Sequence, residues 1–458
     1  MLEQPLGQTT VQPNISQPES GWRKQRTAPS LPEVHASIRV PQNKGFWRTL
    51  LAYVGPGMMV AVGYMDPGNW ATDLAGGAKF GYLLLSVILI SNLMAILLQH
   101  LSLKLGIVTG RDLAQACRDH YSRPVVLFLW ILCEIAIAAC DLAEVIGSAI
   151  AIHLLFGIPL IVGVLITASD VLVVLFLQHK GFRYVEALVA SLILVIGVCF
   201  AYELILAQPS VPAMFAGLVP SSEIIFNPSA LYIAIGILGA TVMPHNLYLH
   251  SSIVQTRTIE PTVAGKRKAI KFATIDSTAS LMLAFFINGA ILVLSAAAFH
   301  GTANENVADI NDAYQLLSPV LGVSLASIMF AVALLASGQN STLTGTMAGQ
   351  IVMEGFVDIH LKPWVRRLLT RLIAIVPAVI VTALYGERGT GELLILSQVI
   401  LSLQLSFAVV PLVQFTSERA KMGVFTNTRL MQIAAWSVTL IIIVFNGYLL
   451  FQTLSGGA

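Results

Sequence analysis

Residues 48–74 read RTLLAYVGPGMMVAVGYMDPGNWATDL. A bilayer core of about 30 Å needs roughly 20 apolar residues as helix, so the stretch is long enough to span. Its centre is the wrong chemistry for an ordinary spanning helix. Asp66 stands at mid-membrane, where a carboxylate costs about 2.5 to 3.5 kcal/mol on insertion scales, and it needs a cation, a proton or a basic partner. Past Arg48 at its very start, no Lys or Arg accompanies it inside the span. Pro67 and Gly68 follow, which unwinds the local backbone and frees carbonyls, a state tolerated only where it lines a cavity. Asn69 adds a side-chain carbonyl.

The same punctuation returns in a second apolar stretch, 229–256, as Met243-Pro244-His245-Asn246. Both motifs match x-Pro-x-Asn near mid-segment, and the second lies five spans after the first, an odd number, so the two copies enter the membrane from opposite sides. A single Pro can merely kink a spanning helix. Paired interruptions at corresponding places in two inverted halves point instead to a transport site at the midplane.

The rest of the chain supports a lipid-embedded fold. Of 458 residues 56% are hydrophobic and 11% charged, and the mean hydropathy is +0.78. These values exclude a soluble globular domain. Eleven segments qualify as spans: 48–74, 81–104, 124–150, 158–178, 186–206, 229–256, 273–299, 316–350, 364–385, 391–415 and 431–453. The eighth is the least regular, because Ser337-Gly338-Gln339-Asn340-Ser341 interrupts it. Lys and Arg accumulate on the cytoplasmic side. With the N-terminus inside, 24 of the 26 basic residues fall on inside loops and only Lys79 and Arg388 outside. The reading is therefore a multi-pass protein of the cell's inner membrane, N-terminus cytoplasmic and C-terminus outside. Residues 1–45, rich in Gln, Pro and Ser, read as a disordered cytoplasmic tail, and 46–458 as one eleven-helix transport domain. The net charge of +2, without charged tracts, argues against nucleic acid as a partner. The four cysteines show no CxxC spacing and read as small buried hydrophobes.

Met243 narrows the substrate. A thioether offers nothing to Mg²⁺ or Ca²⁺, whereas Mn²⁺, Fe²⁺, Co²⁺ and Cd²⁺ tolerate or prefer it. Set immediately before a helix-breaking Pro and opposite Asp66, it reads as a ligand for a transition metal. The third span carries Glu134, Asp141 and Glu144 at i, i+7 and i+10, one face of a helix. They form either a proton path or a static ion-pair network. His245 and His250, five apart, do not share a face as a chelating pair would, and an imidazole pKa ordinarily near 6.5 suits proton handling. Asp170 in the fourth span reads as an interhelical anchor.

Asp66-Pro67-Gly68-Asn69 together with Met243-Pro244-His245-Asn246, preceded by Gly239-Ala240-Thr241-Val242, resembles the paired signature of the Nramp family of proton-coupled metal-ion transporters, along roughly residues 45–455. Related magnesium and aluminium carriers depart from the Asp or Met signature, and this chain does not. The resemblance implies an all-α membrane protein with a LeuT-like fold: two inverted five-helix repeats plus an eleventh helix, with helices 1 and 6 broken. It implies metal ligation by Asp66, Asn69, Met243 and the Ala240 carbonyl, with Gln398 approaching on occlusion. It also implies proton handling by Asp66, His245 and His250, and by Glu134, Asp141 and Glu144 with Arg366, Arg367 and Arg257 as partners. The function expected is proton-coupled import of Mn²⁺ or Fe²⁺, also Cd²⁺ and Co²⁺, by alternating access. The metal is then cargo, no cofactor is expected, and the partners are metal ions, protons and the lipid bilayer. The alternative is a LeuT-fold carrier of amino acids or other organic solutes. An enzyme is not expected, since no HExxH, no GxxxxGK[ST] and no nucleophile–His–acid spacing occurs.

Overall fold

The computed structural model describes residues 21–167 except Thr27, Gln42 and Asn43, residues 181–358 except Asn306 and Ala308, scattered positions between 365 and 384, and residues 390–454. Asp170, Arg366, Arg367 and most of the expected fourth and ninth spans lie outside the described residues. Among the described residues every regular element is a helix, with one isolated backbone bridge between Ile38 and Arg257.

The first span is three pieces: α1 (Phe46–Tyr53), α2 (Pro56–Gly63) and α3 (Pro67–Phe80). There follow α4 (Leu85–Thr109), the short α5 (Leu113–His120), α6 (Arg123–Phe156), α7 (Leu160–Thr167) and α8 (Phe182–Ala207). Two short helices, α9 (Val211–Gly217) and α10 (Glu223–Phe226), lead into a second broken span, α11 (Pro228–Thr241) and α12 (Pro244–Ile253). The remainder comprises α13 (Val263–Phe299), α14 (Ile310–Leu321), α15 (Leu325–Val357), α16 (Thr390–Ser417), α17 (Arg419–Met422) and α18 (Arg429–Leu454). Seven of the helical stretches among the described residues are long and apolar enough to cross a membrane, which makes this a multi-pass membrane protein.

Both breaks occur where the sequence demands them. Asp66 is extended (φ −68°, ψ 165°) and caps α3, with Pro67 at the first helical position. Met243 is extended (φ −68°, ψ 125°) before α12, with Pro244 in the same place. Proline lacks the N–H that a helix start leaves unpaired, so it suits that position and cannot continue the helix before it. Side chains answer the freed carbonyls: Met65 O accepts from the Trp70 indole (3.2 Å) and from the Ser337 hydroxyl.

That last contact corrects the expected interruption of the eighth span. Leu325–Val357 is one continuous 33-residue helix, and the separate α14 precedes it. Ser337, Gly338, Asn340 and Ser341 are buried. The polar run is not a break; it is the face this helix turns to the first span and to α6.

The N-terminal segment also departs from expectation. Residues 21–41 are not a loose tail but a strap across one end of the bundle. Trp22 packs edge-on against Phe415 (centroids 5.7 Å) beneath the guanidinium of Arg111 (4.7 Å) and the ammonium of Lys421 (5.1 Å). The Ser30 hydroxyl donates to Asp112 (2.6 Å) and the Leu31 amide to Glu354 (3.0 Å). Ala36 and Ile38 donate to Gln255 O and Thr256 O, and Thr258 donates back to Ile38 O. Average composition hid this, because three apolar anchors, Trp22, Leu31 and Val34, are enough when backbone groups at the helix ends supply the remaining partners. Residues 1–20 lie outside the described residues.

Candidate metal site at the two helix breaks

Asp66, Asn69, Ala240, Met243 and Gln398 are all buried, and hydrogen bonds tie Asp66, Asn69, Ala240 and Gln398 into one network. Asp66 Oδ1 accepts from the Asn69 backbone amide (2.8 Å) and side-chain amide (2.6 Å), so the carboxylate caps α3 and is held rigid. The Asn69 amide also donates to Ala240 O (3.2 Å), which joins the two broken spans directly. Asp66 Oδ2 accepts from Gln398 Nε2 at 3.3 Å. Gln398 comes this near because Gly68 has no side chain; a Cβ there would overlap the Gln398 amide. The Met243 side chain is wholly buried and packs with Ala139, Cys140 and Leu401.

Chemically this is one carboxylate, two side-chain amides, one backbone carbonyl and one thioether. The N-terminus of α3 offers its positive dipole end to Asp66, which favours the ionised carboxylate. Ligation through Asn69 needs its amide turned about χ2 so that oxygen replaces nitrogen, a change that leaves the side chain in place.

The third-span acids separate into two settings. Asp141 and Glu144 are buried together against α15, where a Cβ on Gly345 would lie 3.0 Å from an oxygen of each. Glu134, nearly two helical turns before Asp141, accepts from the Trp130 indole at 2.8 Å. His245 connects to this stripe through a residue that the sequence reading passed over. Cys140 Sγ lies 3.9 Å from His245 Nε2 and 3.6 Å from Glu144 Oε1. Only its place four residues before Glu144 hinted at this.

His250 belongs to another network, paired through Nδ1 with Gln99 (2.9 Å), which in turn donates to the Tyr64 hydroxyl (3.0 Å). Arg257 stands at the end of the sixth span, as expected, but its ion-pair partner there is Glu186 and not one of the third-span acids. The chain leaves α12 by a 3₁₀ turn at Val254–Thr256, which carries Arg257 to the strap end of the bundle. There it pairs with Glu186 (2.6 Å) and donates to Val54 O (2.7 Å) and Ala52 O (3.2 Å). Arg183 donates to Val54 O (2.7 Å), Ala52 O and Leu51 O, and pairs with Glu186 as well. Asp276 accepts from Gly57 N at 2.7 Å. The target of these groups is the joint between α1 and α2. Gly55 adopts φ +139° there, and a Cβ on it would overlap the Glu186 carboxylate. Neither Arg183 nor Glu186 was singled out in the sequence, since a polar pair at a span end looks like any other.

Two broken spans that meet at a buried acid, amide and thioether are the arrangement expected of a class: multi-pass membrane transporters. Comparison with known proteins gives the family. Residues 57–452 match the family model described as Nramp, natural resistance-associated macrophage protein-like. A divalent metal cation transporter MntH of Listeria innocua is 64% identical over 437 residues, covering 95% of this chain and 98% of that protein. One from Mesorhizobium japonicum is 62% identical, covering 96% and 98%. The solved structure of an Eremococcus coleocola manganese transporter superposes with a TM-score of 0.85 at 44% identity, covering 91% of this chain and 90% of that one. Mhp1, a nucleobase-cation-symport-1 family transporter, shares the fold alone, with a TM-score of 0.58 at 15% identity. This chain belongs to the Nramp family, with a LeuT-like fold, and is a transporter and not an enzyme.

Proposed function

We propose that this protein imports divalent transition metals, Mn²⁺ and Fe²⁺ foremost and Cd²⁺ and Co²⁺ as well, together with protons, across a bacterial inner membrane. The observation that carries the reading is the hydrogen-bonded convergence of Asp66, Asn69, Ala240 and Gln398 at two unwound helices, with Met243 buried at the second break. The relatives named for manganese and divalent-metal transport support it. The strap end of the bundle is the cytoplasmic end, in line with the distribution of Lys and Arg. In the arrangement described, the site is closed to that side by Arg257, Arg183 and Glu186 gripping the joint between α1 and α2. Asp66, exchanging a proton for metal, and the stripe His245, Cys140, Glu144, Asp141 and Glu134 supply the proton route, with Arg366 and Arg367 as ionic partners.

The test is uptake of Mn²⁺ by proteoliposomes with internal pH followed at the same time, wild type beside Asp66→Ala. Metal-dependent acidification in wild type and loss of both signals in Asp66→Ala are expected. Mn²⁺ entry without acidification would remove the proton coupling, and uptake of amino acids in place of metal would favour an organic-solute carrier.

A further inference from the structure

A second group of metal-ligand side chains lies away from the helix breaks, in the half of α8 and α15 remote from the strap. Cys199 Sγ and Met329 Sδ are 3.7 Å apart. Glu203 follows Cys199 by one helical turn and is completely buried, and neither of its carboxylate oxygens has a hydrogen-bonding partner. Residues four apart share one face of a helix and side chains lean towards its N-terminus, so Glu203 and Cys199 stand on the same face. The two groups are near enough for their charges to interact. Cys199 itself is 4% exposed.

A van der Waals contact between two sulfurs explains their separation but leaves Glu203 unexplained. A buried carboxyl group without a partner is costly in either protonation state, because its polar atoms have given up water for nothing. A cation resolves this. Two metal–sulfur bonds of about 2.3 Å at a tetrahedral angle place the sulfurs about 3.8 Å apart, which is the spacing already present. A thiolate and a carboxylate together neutralise a divalent charge, so no further anion has to be brought into the membrane.

We propose that Cys199, Glu203 and Met329 form a second binding site, separate from Asp66, for a soft divalent transition-metal cation. Binding replaces the protons of the Cys199 thiol and the Glu203 carboxyl by bonds to the metal, both protons leave to solvent, and the thioether donates a lone pair; no electron transfer is involved. Softness sets the order of preference, with Cd²⁺ and Zn²⁺ ahead of Mn²⁺, and Ca²⁺ excluded. The same two helices also meet through an aromatic cluster. Phe200 and Phe330, each the next residue after Cys199 and Met329, hold Trp70 between them at 4.8 and 5.2 Å. A metal joining α8 to α15 therefore braces the helix that begins at Asp66.

The probe is Cd²⁺, titrated calorimetrically into purified full-length Asp66→Ala, with thiolate-to-metal charge-transfer absorption recorded in parallel. About one Cd²⁺ per chain should remain, with the absorption band. Adding Cys199→Ser should abolish the band, and adding Glu203→Gln or Met329→Leu should weaken binding roughly tenfold or more. Met329→Leu nearly conserves volume, so it reports on the ligand rather than on folding. Absence of Cd²⁺ binding to Asp66→Ala would overturn the proposal, as would a band that survives Cys199→Ser, which would move the thiolate to Cys140 or another cysteine. Mn²⁺ uptake by Cys199→Ser, measured separately, reports on the Asp66 site and distinguishes its failure from failure of this one.

Discussion

Met243 shows how one side chain sets selectivity by what it withholds. Hard ions such as Ca²⁺ and Mg²⁺ coordinate oxygen and lose hydration against a thioether, Mn²⁺ loses less, and Cd²⁺ gains a soft bond. The side chain is wholly buried beside Cys140, so Met243→Ala makes room for a water and an all-oxygen shell. Mn²⁺ uptake should persist at reduced efficiency, Cd²⁺ uptake should fall most, and millimolar Ca²⁺ should begin to compete. An Ala variant indifferent to Ca²⁺ would make Met243 a packing residue only. Glu144 is a different case: it is not one of the ligands and stands behind Cys140, which packs against Met243. Glu144→Gln keeps its shape and removes its charge, so metal binding should stay within about threefold of wild type while the proton-to-metal ratio drops. An unchanged ratio, measured by paired flux assays, would leave the third-span acids as a static network.

At the level of elements, the informative ones are those that hold the strap end shut. Arg257, Arg183 and Asp276 bond the backbone of residues 51–57, and the strap bonds the ends of α5, α12 and α15. Opening towards that end must loosen both. Trp22→Ala removes the aromatic anchor beneath Arg111 and Lys421 and should raise the labelling of a cysteine placed at Val54 severalfold; equal labelling would make the strap a passenger. This end of the bundle also carries a pH dependence. Burial pushes the Asp112 carboxyl up to about 6, opposed by the hydrogen bond from Ser30. A carboxyl whose folded value is raised binds its proton more tightly in the folded protein, so its contribution to stability is complete below about pH 4, the unperturbed range, and is lost as pH rises towards 6. Thermal unfolding in detergent should show wild type losing stability relative to Asp112→Asn between pH 4.5 and pH 7. Parallel pH profiles of the two proteins would place the titrating group elsewhere.

For the molecule as a whole, the site joins segments more than 300 residues apart, Asp66 and Gln398 among them. A ligand that bridges them binds the folded state alone and stabilises it by mass action, about 2.7 kcal/mol at a concentration one hundred times Kd. Mn²⁺ should raise the melting temperature of the detergent-solubilised protein in a concentration-dependent way, and Asp66→Ala should abolish that shift. An equal shift in the variant would mean that Mn²⁺ is held elsewhere.

The sequence by itself determined the embedding in lipid and the two broken spans with the buried acid between them, because each follows from local chemistry. Apolar length sets a span, Pro and Gly end a helix, and an acid at mid-membrane requires a cation or a proton. It could not determine which side chains meet across helices. That Ser337 and its neighbours form a continuous helix facing the first span, that Cys140 stands between His245 and Glu144, and that Arg257 grips the joint before Gly55 depend on rotations and registers between packed helices. Trp22, Leu31 and Val34 were invisible for the same reason. Three apolar residues in a polar segment carry no periodicity, and only the gaps between assembled helix ends give them somewhere to go.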